Sequence, residues 1–583
     1  FSARDSMAFR ISGNYLERDA YSDDGTNDAE SYSVRAQFLA QMSEDASLRI
    51  AVDHSDVGGS GNTGDYVGTY NDNPAFGPLT DFTPSGLAID SGGTSDAANT
   101  IRGGVLAGPA FAFLAPLDSN EVFQELTYSG ILAEFIYQTE YGTLTFLPAY
   151  RDADQDYTFV GPGFGPSPAQ ETYEQVTAEL RFATDLGGPF DGVFGAFYFD
   201  EEAKFSGNFN QDYIAPIQNF DSGGDSWAVF AQGTFNVTET VRLNAGVRYT
   251  EDSKFVDGVS HTFVLFCGGP PGPNFITPPA SFAAGCQNQS AFPAVTDPEV
   301  FINTLVNDGV IPPGSTVADG FYPSINGIPG AIIDVDGAGG LSLVNTIDDD
   351  EVTYRFGVEW DVGQENLLYA GYERGYRAGG VDISQVVPTY PPEYIDAYTI
   401  GSKNRFLGDT LQLNIEAFYW EYEDQQVNYF ATIGGGPAFP TASANSTIQG
   451  LDVDLLWAMS DDTTIGVKAQ ILDAVYDELD LVSDVGTGRY GCPEGAVVGG
   501  LQTFDCSGQN LVYSPDFALD LNLSHVLHIG NFELVGILDV LYRSEQNTDN
   551  SFLTELEADA YTQLNLELML LPIDGRWTVS AYG

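Results

Sequence analysis

Lysine is almost missing from this chain of 583 residues: Lys204, Lys254, Lys403 and Lys468 are all there is. Lys and Arg together number 21 against 83 Asp and Glu, a formal net charge of −62. Phosphate backbones are held by basic surfaces, so nucleic acid is excluded as a partner. Long apolar runs are missing as well. No stretch reaches the roughly 18 apolar residues that a transmembrane helix requires. Histidine occurs four times, without an HExxH motif. His525 and His528 stand three apart on an alternating stretch, where that offset points side chains to opposite faces, and His261 is alone in a long loop. No metal site is expected from them. No Ser/His/Asp grouping lies on one face, and Gly161–Pro168 is a plain loop rather than a phosphate cradle opening a helix. Neither an enzyme nor a bound cofactor is expected.

Cysteine is scarce and paired. Cys267 and Cys286 share one loop, and Cys492 and Cys506 share another. Neither pair has CxxC spacing, which favours disulfides stapling loops in an oxidising compartment over a metal site. Two acidic, glycine-containing segments remain, Asp334-Val335-Asp336-Gly337 and Asp23-Asp24-Gly25 followed by Asn27, Asp28 and Glu30. Both depart from the EF-hand spacing, and solvated turns are the expectation.

What fills the chain is alternation. About nineteen stretches place apolar and polar residues on opposite sides with period two, and no helical segment stands out. In 351–362, Val352, Tyr354, Phe356, Val358, Trp360 and Val362 share one face, while Arg355, Glu359 and Asp361 share the other. In 241–252, Leu243 and Val247 oppose Arg242 and Arg248; in 451–457, Leu451, Val453 and Trp457 oppose Asp452 and Asp454. Alternation of this kind serves a soluble sandwich and a membrane barrel equally.

Turn lengths separate the two. Short turns, such as Glu140-Tyr141-Gly142, Leu407-Gly408-Asp409 and Ser460-Asp461-Asp462, alternate with long loops near 57–121, 256–350, 428–445 and 478–511. Outer-membrane barrels keep short turns on the periplasmic side and long loops outside. The expectation is therefore an all-β fold, a transmembrane antiparallel β-barrel whose charged face lines a wet or protein-filled lumen. A mean hydropathy of −0.11 is compatible, since only alternate residues meet lipid. On this reading Arg242, Arg248, Arg355, Glu359, Asp452 and Asp454 face the lumen. Bacterial barrels have even strand counts and those with about 22 strands carry a plug. About nineteen visible strands then imply an expected 22, with residues 1–583 forming a single barrel domain truncated at both ends.

Several blocks resemble a known family. Leu368-Tyr369-Ala370-Gly371-Tyr372-Glu373-Arg374-Gly375-Tyr376-Arg377-Ala378-Gly379-Gly380 is similar to a tyrosine-rich strand, followed by Arg-Gly-aromatic-basic-Ala-Gly-Gly, found in TonB-dependent outer-membrane receptors. Pro392-Glu393 through Tyr398-Thr399-Ile400-Gly401-Ser402-Lys403 resembles that family's Pro-Glu…Tyr-Glu-x-Gly-x-Lys strand, with Thr399 where an acid is usual. Leu411–Gln426, Val193–Phe199, Ser226–Gln232 and Leu243–Thr250 follow the same pattern, and the closing Gly575–Gly583 stops where the family continues into a last strand. The resemblance spans nearly the whole chain. It implies active uptake of a scarce solute (an iron chelate, a corrinoid or a glycan) by a monomer in a Gram-negative outer membrane, amid lipid bilayer and lipopolysaccharide. Energy would come from the TonB-ExbB-ExbD complex through a plug domain that these residues lack. A passive porin and a non-transporting surface barrel are the rival readings.

Charge at the loops narrows the ligand. Loop 256–350 holds ten acids and no Lys or Arg, and loop 57–121 holds seven acids against Arg102. Like-charged clefts build potentials of several kT, so a neutral or cationic solute is expected rather than a polyanionic catecholate complex. Phe263, Phe266, Phe275, Phe282, Phe292, Phe301, Phe321 and Tyr322 either offer stacking surface or pack the loop against itself. Arg374, Tyr376 and Arg377 are further candidates for ligand contact.

Overall fold

The computed structural model describes residues 2–4, 6–61, 63–71, 81–88, 90–106, 121–161, 164–185, 188–210, 214–267, 292–325, 330–383, 388–433, 436–486 and 489–583. Their strands join in a 24-stranded sheet. Four of these strands belong to loops (Phe321–Pro323, Gly330–Asp334, Glu494–Val498 and Leu501–Asp505), which leaves twenty in the main meander. The twenty include two short end pieces, Ser2–Arg4 and Val579–Tyr582. Met7–Arg18 pairs antiparallel with Ala29–Gln41, and Ala29–Gln41 with Ala46–Gly58. The same order recurs from Leu341–Asp361 through Asn366–Arg377, Glu393–Phe406 and Leu411–Asn428. Connections at 42–45, 140–141, 237–240, 362–365, 407–410, 461–462 and 530–531 are short; at the other strand ends most are longer, while only 162–163 and 209–213 separate the strands on either side of them.

The alternation has the expected geometric consequence, and exposure decides what it is for. Val352, Tyr354, Phe356, Val358 and Trp360 line one face of Leu341–Asp361 and Val362 follows just past its end; all six are exposed, Phe356 at 57%. A soluble sheet would bury such a row, each large apolar side chain gaining roughly 1.5–3 kcal/mol. Ile400, 64% exposed, and Tyr398 continue the row on Glu393–Phe406. A contiguous exposed apolar face of this extent is lipid-facing surface.

Contacts divide the chain into two units: 1–181, 196–227 and 252–348 form one, and 182–195, 228–251 and 349–583 form the other. The first has its own core. Phe263, Phe301, Ile302, Ile311, Tyr322 and Ile332 are enclosed together, with Phe263 and Phe301 stacked at 4.7 Å between ring centres. The second packs Tyr429, Tyr476, Leu479, Leu481, Tyr490, Phe504 and Phe552 beside the Cys492–Cys506 disulfide.

Three expectations need correction. Helices exist, at Asp96–Leu106 and Pro298–Asn307. They are short pieces inside loops, too brief for their periodicity to show against the surrounding alternation. The second carried a readable start: Pro298 at its first position and Asp297 as cap, accepting from the Glu299 and Val300 amides at 2.7 and 3.0 Å. Second, the loop read from 256 to 350 is narrower. Val241–Cys267 runs for 27 residues, and its end pairs with Gly330–Asp334. Beyond the lipid both faces turn polar or self-packed, so the ladder continues after the hydrophobic period has faded. Third, Asp334 is not in a solvated turn but buried, and His261 is not alone, as described below.

Candidate functional site

The polar face of the second unit is a network of opposite charges. Arg242 donates to Glu359 at 2.8 Å and, with two nitrogens, to Asp361 at 2.5 and 3.0 Å. Arg248 donates to the Thr250 hydroxyl at 2.9 Å and lies over the Phe230 ring at 5.9 Å. The Arg355 stem covers Gly246, where a Cβ would come within 3.1 Å of it. Asp454 stands opposite Lys468 in register, and Asp452 accepts from Gln470 at 3.0 Å. Arg543 pairs with Asp520 at 2.9 Å. Glu416, Asp452, Asp454, Lys468, Asp520 and Arg543 surround an open recess of about 470 Å³ on this face. All six residues read from the sequence as lumen-facing lie opposite the exposed apolar rows.

Two glycines explain motif positions that the pattern alone leaves unexplained. At Gly401 a Cβ would sit 2.3 Å from the Tyr369 ring. The bare backbone lets Tyr369 lie across the neighbouring strand, donate to Glu416 at 2.5 Å and be covered by Lys403 at 5.4 Å. Gly195 does the same for Phe230, whose ring would come 2.3 Å from a Cβ there and is capped by Arg248. Glycine, ring and cation form one nested unit twice over.

Of the ligand candidates, Phe263 and Tyr322 are fully enclosed and present no face to a solute. The Tyr322 hydroxyl donates to the Thr316 and Val317 carbonyls, and burial pushes its phenol up to about 12. Phe266 is half-buried and Phe321 is 48% exposed; Phe275, Phe282 and Cys286 lie outside the described residues, and with Cys286 the pairing to Cys267. Arg374 and Tyr376 fall on the apolar face, in register with Asp396 and Tyr394. Arg377 faces the other way and is exposed at the loop end of its strand. At the loop end of the second unit stands a pair that sequence reading passed over: Phe430 and Phe439, edge-to-face at 5.4 Å and each 53% exposed. They flank the hairpin of Ala431–Ile433 and Gly436–Ala438, and glycines between two aromatics were the available signal. Beneath them Tyr490 donates to the Phe430 carbonyl at 2.8 Å, and the disulfide joins Cys492 to Cys506 with Cα atoms 5.0 Å apart.

The acidic segments hold themselves. In the first unit, Asp24 accepts from both the amide and hydroxyl of Thr26, from both of Thr94 and from the Thr63 hydroxyl. Burial pushes its carboxyl up, but these hydrogen bonds outweigh it and keep the carboxyl below its ordinary value. Asp28 accepts from the Ser60 amide and hydroxyl, each at 2.6 Å. His261 lies 2.7 Å from Asp334, both nearly fully buried, and Ser260 donates to Asp336 at 3.2 Å. Burial raises the Asp336 carboxyl, and the Asp334 charge adds to that despite hydrogen bonds from Thr262 and Ser260. Among the described residues no group of His, Cys, Asp and Glu is placed to hold a metal. His525 and His528 go to separate partners, Thr463 and the Asp462–Glu533 pair.

An antiparallel meander with a lipid-type outer face, a charged inner face and loops massed at one end is the architecture of an outer-membrane barrel. Residues 53–583 match the family described as TonB dependent receptor-like, beta-barrel, and the chain belongs to that family, whose members are transport receptors of Gram-negative outer membranes. No curated protein matches it in sequence. Its fold is similar to the ferric yersiniabactin uptake receptor FyuA of Yersinia pestis, at 11% identity and a TM-score of 0.64, covering 100% of this chain and 70% of that one. The siderophore receptor PiuA of Acinetobacter baumannii gives 12% identity and 0.58, with 97% and 71% covered. The ferric-catecholate import receptor Fiu of E. coli K12, in its closed form, gives 12% and 0.57, with 98% and 72% covered.

Proposed function

We propose that this chain is the barrel of an outer-membrane receptor importing a scarce neutral or cationic solute, energised by TonB-ExbB-ExbD through a plug domain. It acts as a monomer in a Gram-negative outer membrane. The observation that carries the ligand class is the pairing of four polar-face arginines with carboxylates, on a face where acids outnumber bases. Arg49 is held by Glu134, Arg151 by Asp53, Arg242 by Glu359 and Asp361, and Arg543 by Asp520. A polyanion entering along such a face meets paired guanidinium groups and surplus carboxylate, so its desolvation is not repaid. Phe430 and Phe439 supply exposed ring surface for a solute with an apolar or sugar-like face.

The test is binding to the full-length receptor of a triscatecholate ferric complex, cobalamin and a neutral oligosaccharide. A neutral or cationic compound is expected to bind and the catecholate complex to fail. Tight catecholate binding overturns the ligand class. Phe430→Ala with Phe439→Ala is expected to weaken binding at least tenfold while surface display is kept. Uptake by cells then tests energisation: deleting TonB should abolish uptake and leave binding intact, whereas uptake that persists makes the barrel a passive channel.

A further inference from the structure

The apolar face of the second unit ends, toward the loops, in a row of tyrosines. Tyr354, Tyr372, Tyr398 and Tyr419 sit side by side on four consecutive strands, with ring centres 6.1, 5.0 and 6.4 Å apart. Tyr372, Tyr398 and Tyr419 are direct partners across the ladder. Tyr249 lies on the apolar face of Val241–Cys267, with Leu243 and Val247. Loop-ward of the row on that face come acids: Glu251, Asp350, Asp396, Glu421 and Glu423.

Three phenol donors of this border are engaged by carboxylates. Tyr372 donates to Asp396 at 2.6 Å, Tyr419 to Glu421 at 3.2 Å and Tyr249 to Glu251 at 3.4 Å. On these strands of the unit Arg374 is the one base that shares the face, among the described residues. Its guanidinium is 2.7 Å from Asp396 and 4.0 Å from Glu423, and it lies over the Tyr394 ring at 4.8 Å. Lipid phosphate is held by N–H and O–H donors and positive charge. This border instead presents ring faces and carboxylate acceptors, which suit hydroxyl donors and the C–H faces of a sugar.

We propose that the outer face of the second unit, at the Tyr354–Tyr372–Tyr398–Tyr419 row and the acids above it, docks uncharged sugar headgroups of outer-leaflet lipids and turns lipid phosphate away. The proposal concerns the membrane side of the barrel and stands whatever solute passes through it. Carboxylates joined to phenols accept from sugar hydroxyls, while the rings stack on the sugar and the apolar rows below meet its acyl chains.

The experiment is native mass spectrometry of the full-length receptor, released from detergent with glucosyl-diacylglycerol or phosphatidylglycerol of matched acyl chains, in EDTA. The wild type is expected to retain the glucosyl lipid severalfold better. Asp396→Asn with Glu423→Gln, nearly isosteric, uncovers Arg374 and is expected to shift retention toward phosphatidylglycerol. Tyr372→Leu with Tyr398→Leu keeps the apolar surface and is expected to erase the preference. Heat-modifiable gel migration confirms that each variant is folded. Equal or better retention of phosphatidylglycerol by the wild type overturns the proposal. So does retention of phosphatidylglycerol that appears on adding Mg²⁺, which would make the acids a cation bridge.

Discussion

Gly401 shows how much rests on one missing side chain. Its backbone leaves the room in which Tyr369 lies, reaches Glu416 and is covered by Lys403. Gly401→Val is expected to push the ring out and lower stability by about 1–3 kcal/mol, as overpacking does, read as a fall in unfolding temperature. Tyr369→Phe keeps the ring, loses one hydrogen bond and is expected to cost about 0.5–1.5 kcal/mol. Asp24 gives a pH-dependent counterpart. Its carboxyl is depressed in the folded chain, so the stability it contributes is complete above the unfolded carboxylate value, about 3.9, and is lost as pH falls through the folded one. Protection of the Thr26 and Thr94 amides against hydrogen exchange, taken relative to the free-peptide rate at the same pH, is expected to be high at neutral pH and to fall only below about pH 4. Asp24→Asn should lower that protection at neutral pH.

At the scale of elements, the loops are built pieces. The cap of the second unit joins Tyr429, whose hydroxyl bridges the Val482 amide and carbonyl, to Tyr490 and Phe504, whose rings lie tilted to each other with centres 4.7 Å apart. Burial pushes the Tyr429 phenol up to about 12. The disulfide closes a segment of 14 residues beside it. In the chain-entropy view a loop of that size is worth about 3 kcal/mol. Cys492→Ser with Cys506→Ser is therefore expected to expose 485–516 to protease while the strands resist. Cleavage within the strands instead would show that the bridge supports the sheet. The cysteine spacing was legible in the sequence, whereas the helix that starts at Asp297-Pro298 was hidden by the alternation around it. The extension of Val241–Cys267 beyond the lipid was not, because a ladder can continue where the apolar period stops.

For the whole molecule, a net charge of −62 is a self-repulsion that salt should relieve. The Debye length falls from about 30 Å at 0.01 M to about 8 Å at 0.15 M, so unfolding temperature is expected to rise across that range. A flat response would mean that the local pairs around Arg242 and Arg543 absorb the charge.

Period-two alternation and the inequality of the two sets of turns determined by themselves that this is an antiparallel meander with one apolar face and loops at one end. Both are local in the chain: side chains alternate on any strand, and a turn is short or long wherever it falls. Which residues meet was decided only by the tertiary structure. Register set Arg374 beside Asp396 on the outer face, brought His261 to Asp334 across 73 positions, and closed Phe263 and Tyr322 inside a loop core. Such contacts depend on how far each strand runs and on how loops fold back. A pattern of apolar and polar letters carries neither, because long-range partners are chosen by packing and charge among segments far apart in the chain.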